Sequence, residues 1–433
     1  MARSAIYPPS VQPGKPRLIF PPKGWCTVTF SDLFEVVERP AILDDTKEYQ
    51  LITAKRSRGG IVPRERLRGR DILTKTQFYV SEGDFLISNR QIIHGGCGIV
   101  PPALDGAIVS NEYTVLRPRP ILRPDFLSYL PHSIYFQQTC FHASVGVDVE
   151  KMVFDVDQWL TFKIHLPSVS EQESIAELLL GVDDAIQATL AVIQQTRKVK
   201  QGVLDRLLTK GIGHIRFKQT EIGEIPEAWE VRSLDELGQV QAGRQRSPHF
   251  TEGTLRPYLR VANVFDGFID TSDVLQMNFT EAEYERYRLE PGDILLNEGQ
   301  SLELVGRNAV YQGVPADCCF QNTLIRFRSG PDIQARFAYT LMQHLFSTGQ
   351  FTAIATRTTS VAHLGVKRFA NLLVPLPPKH ERLKISEIHA QFTKSLNSQM
   401  RKYNELVSLK AALLSDLLSG RKRQPINNLA AAE

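Results

Sequence analysis

Residues 171–209 read EQESIAELLLGVDDAIQATLAVIQQTRKVKQGVLDRLLT, and residues 381–419 read ERLKISEIHAQFTKSLNSQMRKYNELVSLKAALLSDLLS. Laid over one another at an offset of 210, they match without a gap, and the match begins at Leu166-Pro167 over Leu376-Pro377. Nine of these 44 positions are identical (Leu166, Pro167, Glu171, Ile175, Glu177, Lys200, Leu204, Leu207 and Leu208), where roughly two or three are expected by chance. The first copy has no proline, and glycine only at 181 and 202. Apolar or small residues recur every seven, through Leu179, Ile186, Ile193 and Leu207 in the first copy and Leu396, Tyr403 and Leu417 in the second. That period predicts a coiled-coil-like seam on a long helix in each copy. Leu204 and Leu414 widen the stripe beyond a two-stranded seam, leaving apolar surface for a partner. Leu-Pro before each helix and Gly211 or Gly420 after it supply entry and stop signals. About 39 residues at 1.5 Å each make a rod of roughly 60 Å. The period does not fix whether the two helices run parallel or antiparallel.

Outward from the helices the echo weakens. Trp25 falls over Trp229 at offset 204, and Gly83-Asp84 over Gly292-Asp293 at offset 209. Insertions are therefore tolerated in the segment before each helix and excluded from the helix itself, since an insertion would rotate its seam. The chain is two half-molecules, each a variable mixed α/β segment followed by a repeated helix. Glu82-Gly83 and Pro291-Gly292 precede short apolar runs, a turn-then-strand signature. Further strands are expected at 306–311 and 322–328, and a helix over 332–350.

Positive charge clusters in the variable segments. Lys55, Arg56, Arg58, Arg64, Arg66, Arg68 and Arg70 stand with one acid, Glu65, around Gly59-Gly60, and Arg90 follows. A glycine-hinged arginine loop suits phosphate contact and bidentate reading of guanine. The second half offers Arg244, Arg246, Arg256 and Arg260, then Arg357-Thr358-Thr359-Ser360, an arginine with three hydroxyls able to grip phosphate.

Catalytic patterns are missing. There is no phosphate-binding G-x-x-x-x-G-K-[ST] loop, no G-x-G-x-x-G, and no metal-ligand spacing among the 10 histidines. The Pro-Pro pair after Phe20 is not the tetrapeptide of amino-methyltransferases. His94-Gly95-Gly96-Cys97-Gly98 reads as a glycine-rich turn, with no identifiable base for a thiol nucleophile. Five cysteines without C-x-x-C spacing indicate neither a disulfide framework nor zinc. No apolar run is long enough for a membrane helix, and the N-terminus lacks a secretory core, so a soluble, cytoplasmic protein is expected. A net charge of +4 does not by itself argue for nucleic acid.

The junction Gly211 to Val231, with Leu376-Pro-Pro-Lys-His-Glu381 and Leu166-Pro-Ser-Val-Ser-Glu171, resembles the conserved regions of DNA specificity subunits of type I restriction-modification systems. Gly292-Asp293-Ile294, Gly306-Arg307 and Gln321-Asn322 are similar to the pattern inside that family's recognition domains. In the first half Ser88-Asn89-Arg90 is not followed by a clear Gly-Arg pair. The resemblance implies an α/β (α+β) fold: two globular target recognition domains, separated by a pair of long antiparallel coiled-coil helices, in an internal pseudo-twofold repeat. The implied organisation is an N-terminal extension (1–21), recognition domain 1 (22–165), a central helix (166–211), a linker (212–225), recognition domain 2 (226–375), a C-terminal helix (376–421) and a flexible tail (422–433). The implied function is non-catalytic: reading a bipartite, asymmetric double-stranded DNA target while docking two methyltransferase subunits and motor-nuclease subunits. S-adenosylmethionine, ATP and Mg2+ would belong to those partners. The alternatives are a specificity subunit of a related system lacking the motor-nuclease, an enzyme with unrecognised motifs, and a scaffold that binds only proteins.

Overall fold

The computed structural model describes residues 16–18, 20–247, 251–357 and 361–423. Both repeated stretches are unbroken helices, α1 (Val169–Thr209) and α2 (Lys379–Leu417). Each is followed by a glycine in the left-handed region, Gly211 at φ 67° and Gly420 at φ 69°, where an L side chain would be strained. The chain forms two compact units, Met1–Thr189 with Lys402–Glu433, and Leu190–Arg401. Each unit thus takes in part of both long helices.

In the first unit, β1 (Cys26–Thr29) opens the globular part. β2 (Glu48–Ala54) and β3 (Ile61–Arg68) form a hairpin, and β4 (Phe85–Ser88) lies in the core. The closing strand β5 (Lys163–Leu166) pairs antiparallel with β1, Cys26 opposite Leu166, and leads into α1. A four-stranded sheet runs in the order Phe34–Val36, Tyr113–Pro118, β4, Cys97–Ile99; a five-stranded sheet ends in β2 and then β3, which is its edge. Trp159 stacks on Phe30 at 4.1 Å between ring centroids, and this aromatic core continues into Ile175 and Leu179 of α1 and Leu417 and Leu418 of α2.

The second unit starts with a hairpin of β6 (Phe217–Thr220) and β7 (Gly223–Pro226), then β8 (Glu230–Ser233). Its central strands are β9 (Ile294–Asn297) and β10 (Leu324–Ser329), followed by the helix Ala335–Ser347. The short strands β11 (Thr356–Arg357) and β12 (Ala362–His363) precede β13 (Leu373–Leu376), which pairs with β8 as β5 pairs with β1, Glu230 opposite Leu376. The four-stranded order Gly238–Ala242, β10, β9, Asn308–Val310 repeats that of the first unit. The accessory sheets do not repeat: among the described residues the first unit has one of five strands and a pair (Ser144–Val145 with Val153–Phe154), the second two of three strands (Leu275–Phe279, Thr254–Leu259, Cys319–Phe320; and Gly299–Gln300, β12, β11). The Gly-Asp turns have one explanation in both units. Asp84 accepts from Ser81 N and pairs with Arg39 at 2.6 Å; Asp293 accepts from Glu290 N and pairs with Arg328 at 2.7 Å. A buried aspartate so held pins the start of the central strand.

Helix direction follows from packing inside each unit. In the first, the opening turns of α1 share a core with the closing turns of α2, and Asp183 pairs with Lys410. In the second, Leu208 near the end of α1 shares a core with Ile385 near the start of α2. The pair is antiparallel. The seam residues Leu179, Ile186, Ile193 and Leu417 are buried, and Leu207, Leu396, Tyr403 and Leu414 are half-buried. The expectation that Leu204 and Leu414 offer free apolar surface does not hold. Leu204 is only 3% exposed and Leu414 is half-buried against the first core, so the chain itself already covers these two positions.

Both helices begin at a buried carboxylate. Glu381, 3% exposed, accepts from Ile212 N (2.7 Å), Trp229 Nε1 (2.9 Å) and His214 Nε2 (3.0 Å). Glu171, 1% exposed, accepts from Arg423 through Nε (3.0 Å) and Nη2 (2.7 Å), and Arg423 also reaches Lys23 O. The tail expected to be flexible from residue 422 is therefore anchored through Arg423, because a carboxylate buried at a helix start requires a cation or several donors. Residues 424–433 of that expectation lie outside the described residues.

Removing this carboxylate orphans three donors at once. Glu381→Ala should lower the unfolding free energy by about 3–5 kcal/mol in urea titration. An unchanged midpoint would show that the carboxylate does not hold the junction.

Candidate nucleic-acid interface

In β3 of the hairpin the residues Arg64, Arg66 and Arg68 are two apart, so they share one face, and all are exposed; Pro63 and Glu65 between them are exposed too, while Ile61 turns inward. Arg66 lies opposite Gln50 and donates from Nε to its Oε1 at 3.0 Å; Arg68 lies opposite Glu48. Arg64 approaches its neighbour Glu65 at 3.3 Å. Pro63 is tolerated because β3 is an edge strand with no further partner. Charged side chains on such an edge discourage strand-on-strand association, and the same row offers three guanidinium forks to a ligand.

The turn between these strands is anchored. Ser57 N donates to His94 O at 2.6 Å and Arg58 N to Gly95 O at 3.0 Å. A Cβ at Gly95 would lie 3.0 Å from Arg58 N, and Gly95 itself has φ 79°, so the glycine-rich run is there to seat the arginine turn. Cys97 within it is buried, and burial pushes its thiol up to about 12, which makes it a poor nucleophile. Arg58 turns inward, donating from Nε to Pro131 O at 2.9 Å, and burial lowers its pKa. It supports the turn from beneath. Lys55 and Arg56 face outward, Arg56 held by Gln91 (2.7 Å) and Glu150 (3.3 Å). Arg90 pairs with Glu112 at 2.6 Å and Arg70 approaches Asp71 at 3.8 Å, all four being exposed.

In the second unit the sequence cluster separates into two kinds of residue. Arg244 is 6% exposed, pairs with Glu283 at 2.7 Å and lies over the Phe279 ring. It is an interior anchor, contrary to the expectation of a DNA-facing group. Arg256 lies over the Tyr284 ring with its guanidinium carbon 3.6 Å from the centroid, and Arg260 pairs with Asp273. Arg246 and Arg357 are exposed. Thr358, Thr359 and Ser360 lie outside the described residues. No spacing in the sequence signals that β12 sets His363 opposite Thr356 of β11, with His363 Nδ1 3.0 Å from Glu298 Oε2. Residues 65 positions apart share no spacing signal.

Among the described residues no group of three or more His, Cys, Asp or Glu side chains is placed to hold a metal ion, and no helix is long and apolar enough to cross a membrane. The arrangement offers exposed guanidinium groups on β3 in the first unit, and at Arg246 and on β11 (Arg357) in the second, which is chemistry for binding phosphate and base edges.

Two stretches of the chain, 22–195 and 226–407, match the family described as type I restriction modification DNA specificity domain. The chain is 24% identical over 424 residues to the type I restriction enzyme MjaVIII specificity subunit of Methanocaldococcus jannaschii, covering 93% of this chain and 94% of that one. It is 23% identical over 281 residues to the EcoKI specificity subunit of Escherichia coli K12, covering 63% and 59%. Its fold is similar to that of a chain solved in a study of complex assembly and conformational transition of the type I R-M system (TM-score 0.62, 18% identity, 94% of this chain and 100% of that one). The HsdS subunit of Thermoanaerobacter tengcongensis is also similar (TM-score 0.50, 20% identity, 93% and 98%).

Substitution should separate the two kinds of arginine. Arg66→Ala should leave the urea midpoint unchanged, cost ~1–3 kcal/mol in duplex binding and relax one target position. Arg244→Ala should lower the midpoint, because Glu283 loses its partner. The reverse ranking in paired binding and unfolding titrations would move the interface off β3.

Proposed function

Because the chain belongs to the type I restriction-modification DNA specificity family, we propose that it is the non-catalytic recognition subunit of such a complex. It reads a bipartite, asymmetric DNA sequence and docks two methyltransferase subunits and motor-nuclease subunits. S-adenosylmethionine, ATP and Mg2+ are then bound by those partners. One observation carries this reading: the repeat keeps the four-stranded core order and the helix register in both halves, yet gives each half a different accessory sheet. A scaffold used twice with two unlike readers suits two unlike half-sites. With both readers in the major groove of one DNA face, the half-sites are about one helical turn, ~10 bp, apart. The arginine face of β3 is the first reader's surface; Arg246 and Arg357 belong to the second's.

Docking of the methyltransferase falls to apolar side chains that the globular parts leave uncovered. Val199 on α1 and Leu409 on α2 correspond at the 210-residue offset and are 42% and 47% exposed. An exposed apolar residue kept at the same place in both copies suits a partner present twice.

A methylome of cells expressing the complete system tests the central claim. The expected result is a split, asymmetric motif with a gap of constant length; a continuous or palindromic motif would sink the two-reader model. For docking, Val199→Glu with Leu409→Glu should abolish methyltransferase co-purification while duplex affinity of the chain alone changes less than twofold. Loss of DNA binding with assembly intact would reverse the assignment.

A further inference from the structure

The long helices agree in register but not in charge. In the first unit, α1 from Val169 to Thr189 carries five acidic residues and no basic one; in the second, α1 from Leu190 to Thr209 carries four basic residues against Asp205 alone. At the 210-residue offset Lys394 on α2 corresponds to Asp184 on α1, and Thr393 to Asp183.

Within the second unit a groove of about 360 Å³ lies between the helix Ala335–Ser347 and α2, lined among others by Arg336, Tyr339, His389, Lys394 and Arg401. The three cations are exposed, and no carboxylate among the described residues lies within ion-pair distance of them. Lys394 and Arg401 are seven residues apart on one helix stripe, about 10.5 Å along the axis. Beneath them His389 is 3% exposed. The Thr340 hydroxyl donates to Arg336 O at 2.9 Å, so the proton between Thr340 Oγ1 and His389 Nδ1, also 2.9 Å apart, belongs to the imidazole. That leaves Nε2 a buried acceptor with no donor. Burial first, then the fields of Lys200 and Arg336, hold this histidine down to about 3, so the ring stays neutral and adds no charge of its own to the groove. Asp266 is the acid whose field reaches this neighbourhood, through Lys200 and Tyr339.

We propose that this groove holds a stretch of DNA phosphate backbone, a contact additional to the arginine-bearing sheets. The inference rests on the DNA-recognition reading above. Unpaired cations on apolar stems are the chemistry of phosphate neutralisation. An acidic protein partner suits the observations less well. Two identical partners on equivalent helix faces would meet Asp183 and Asp184 on α1 where they meet Thr393 and Lys394 on α2. One continuous duplex needs the cationic face only once.

The test is a salt titration of the full chain on a duplex without the target sequence. In R336Q/K394Q/R401Q the slope of log affinity against log salt should fall by about two to three, with unchanged preference for the target over other sequences. The charge-keeping variant R336K/K394R/R401K should retain the wild-type slope. Should the triple variant fold poorly by thermal melting, K394Q alone, at an exposed site, should reduce the slope by about one. An unchanged slope in a folded variant overturns the proposal. So does loss of methyltransferase co-purification at unchanged slope, which would give the groove to an acidic protein. A wild-type chain that ignores duplex at every salt concentration overturns the recognition reading itself; wild-type binding with an indifferent variant overturns only the groove.

Discussion

Each half of the molecule turns on a glutamate taken out of water at the first turn of a long helix. The helix dipole favours a negative charge there, but burial is tolerable only if the remaining lone pairs are filled. Glu381 is satisfied by a backbone N–H, an indole and an imidazole; Glu171 by a single guanidinium. Through these contacts the segment leaving one helix is tied to the start of the other. The same joints fix where β1 and β8 begin, since Trp25 and Trp229 sit beside the glycines that end the helices. Sheet, helix start and helix end in each unit are thus one packed object.

This arrangement explains why sequence drifts where it does. The aromatic and aliphatic cores reach into both long helices, so a shift of register would displace Leu179 or Leu208 from its cluster. The accessory sheets touch fewer such fixed points. One half carries a five-stranded sheet with an arginine edge where the other carries sheets of three strands, at no cost to the four-stranded order they share.

The helix pair, the Gly-Asp strands and the helix near 335–347 were legible in the sequence because each rests on local periodicity or turn chemistry. Direction was not legible, since a heptad reads the same from either end. Nor was the fate of single arginines. Arg66 and Arg244 look alike in the chain, yet one faces water on an edge strand and the other meets Glu283, 39 positions away, in an interior. Leu204 misled for a related reason. Amphipathic width shows that a flank is apolar, but not whether the same chain already covers it.

The contacts of Arg423 with Glu171 and with the carbonyl of Lys23 have a topological consequence. A chain whose last described residue bonds near its first is, in effect, a ring opened at one place. Its two halves have no intrinsic first and second, because the joint at Glu171, which is open, and the joint at Glu381, which is continuous, do the same mechanical work. Severing the backbone between Gly211 and Phe217 and linking Arg423 to Pro22 would exchange the order of the halves along the chain and leave the strand pairings of β1 with β5, β6 with β7 and β8 with β13 inside unbroken segments.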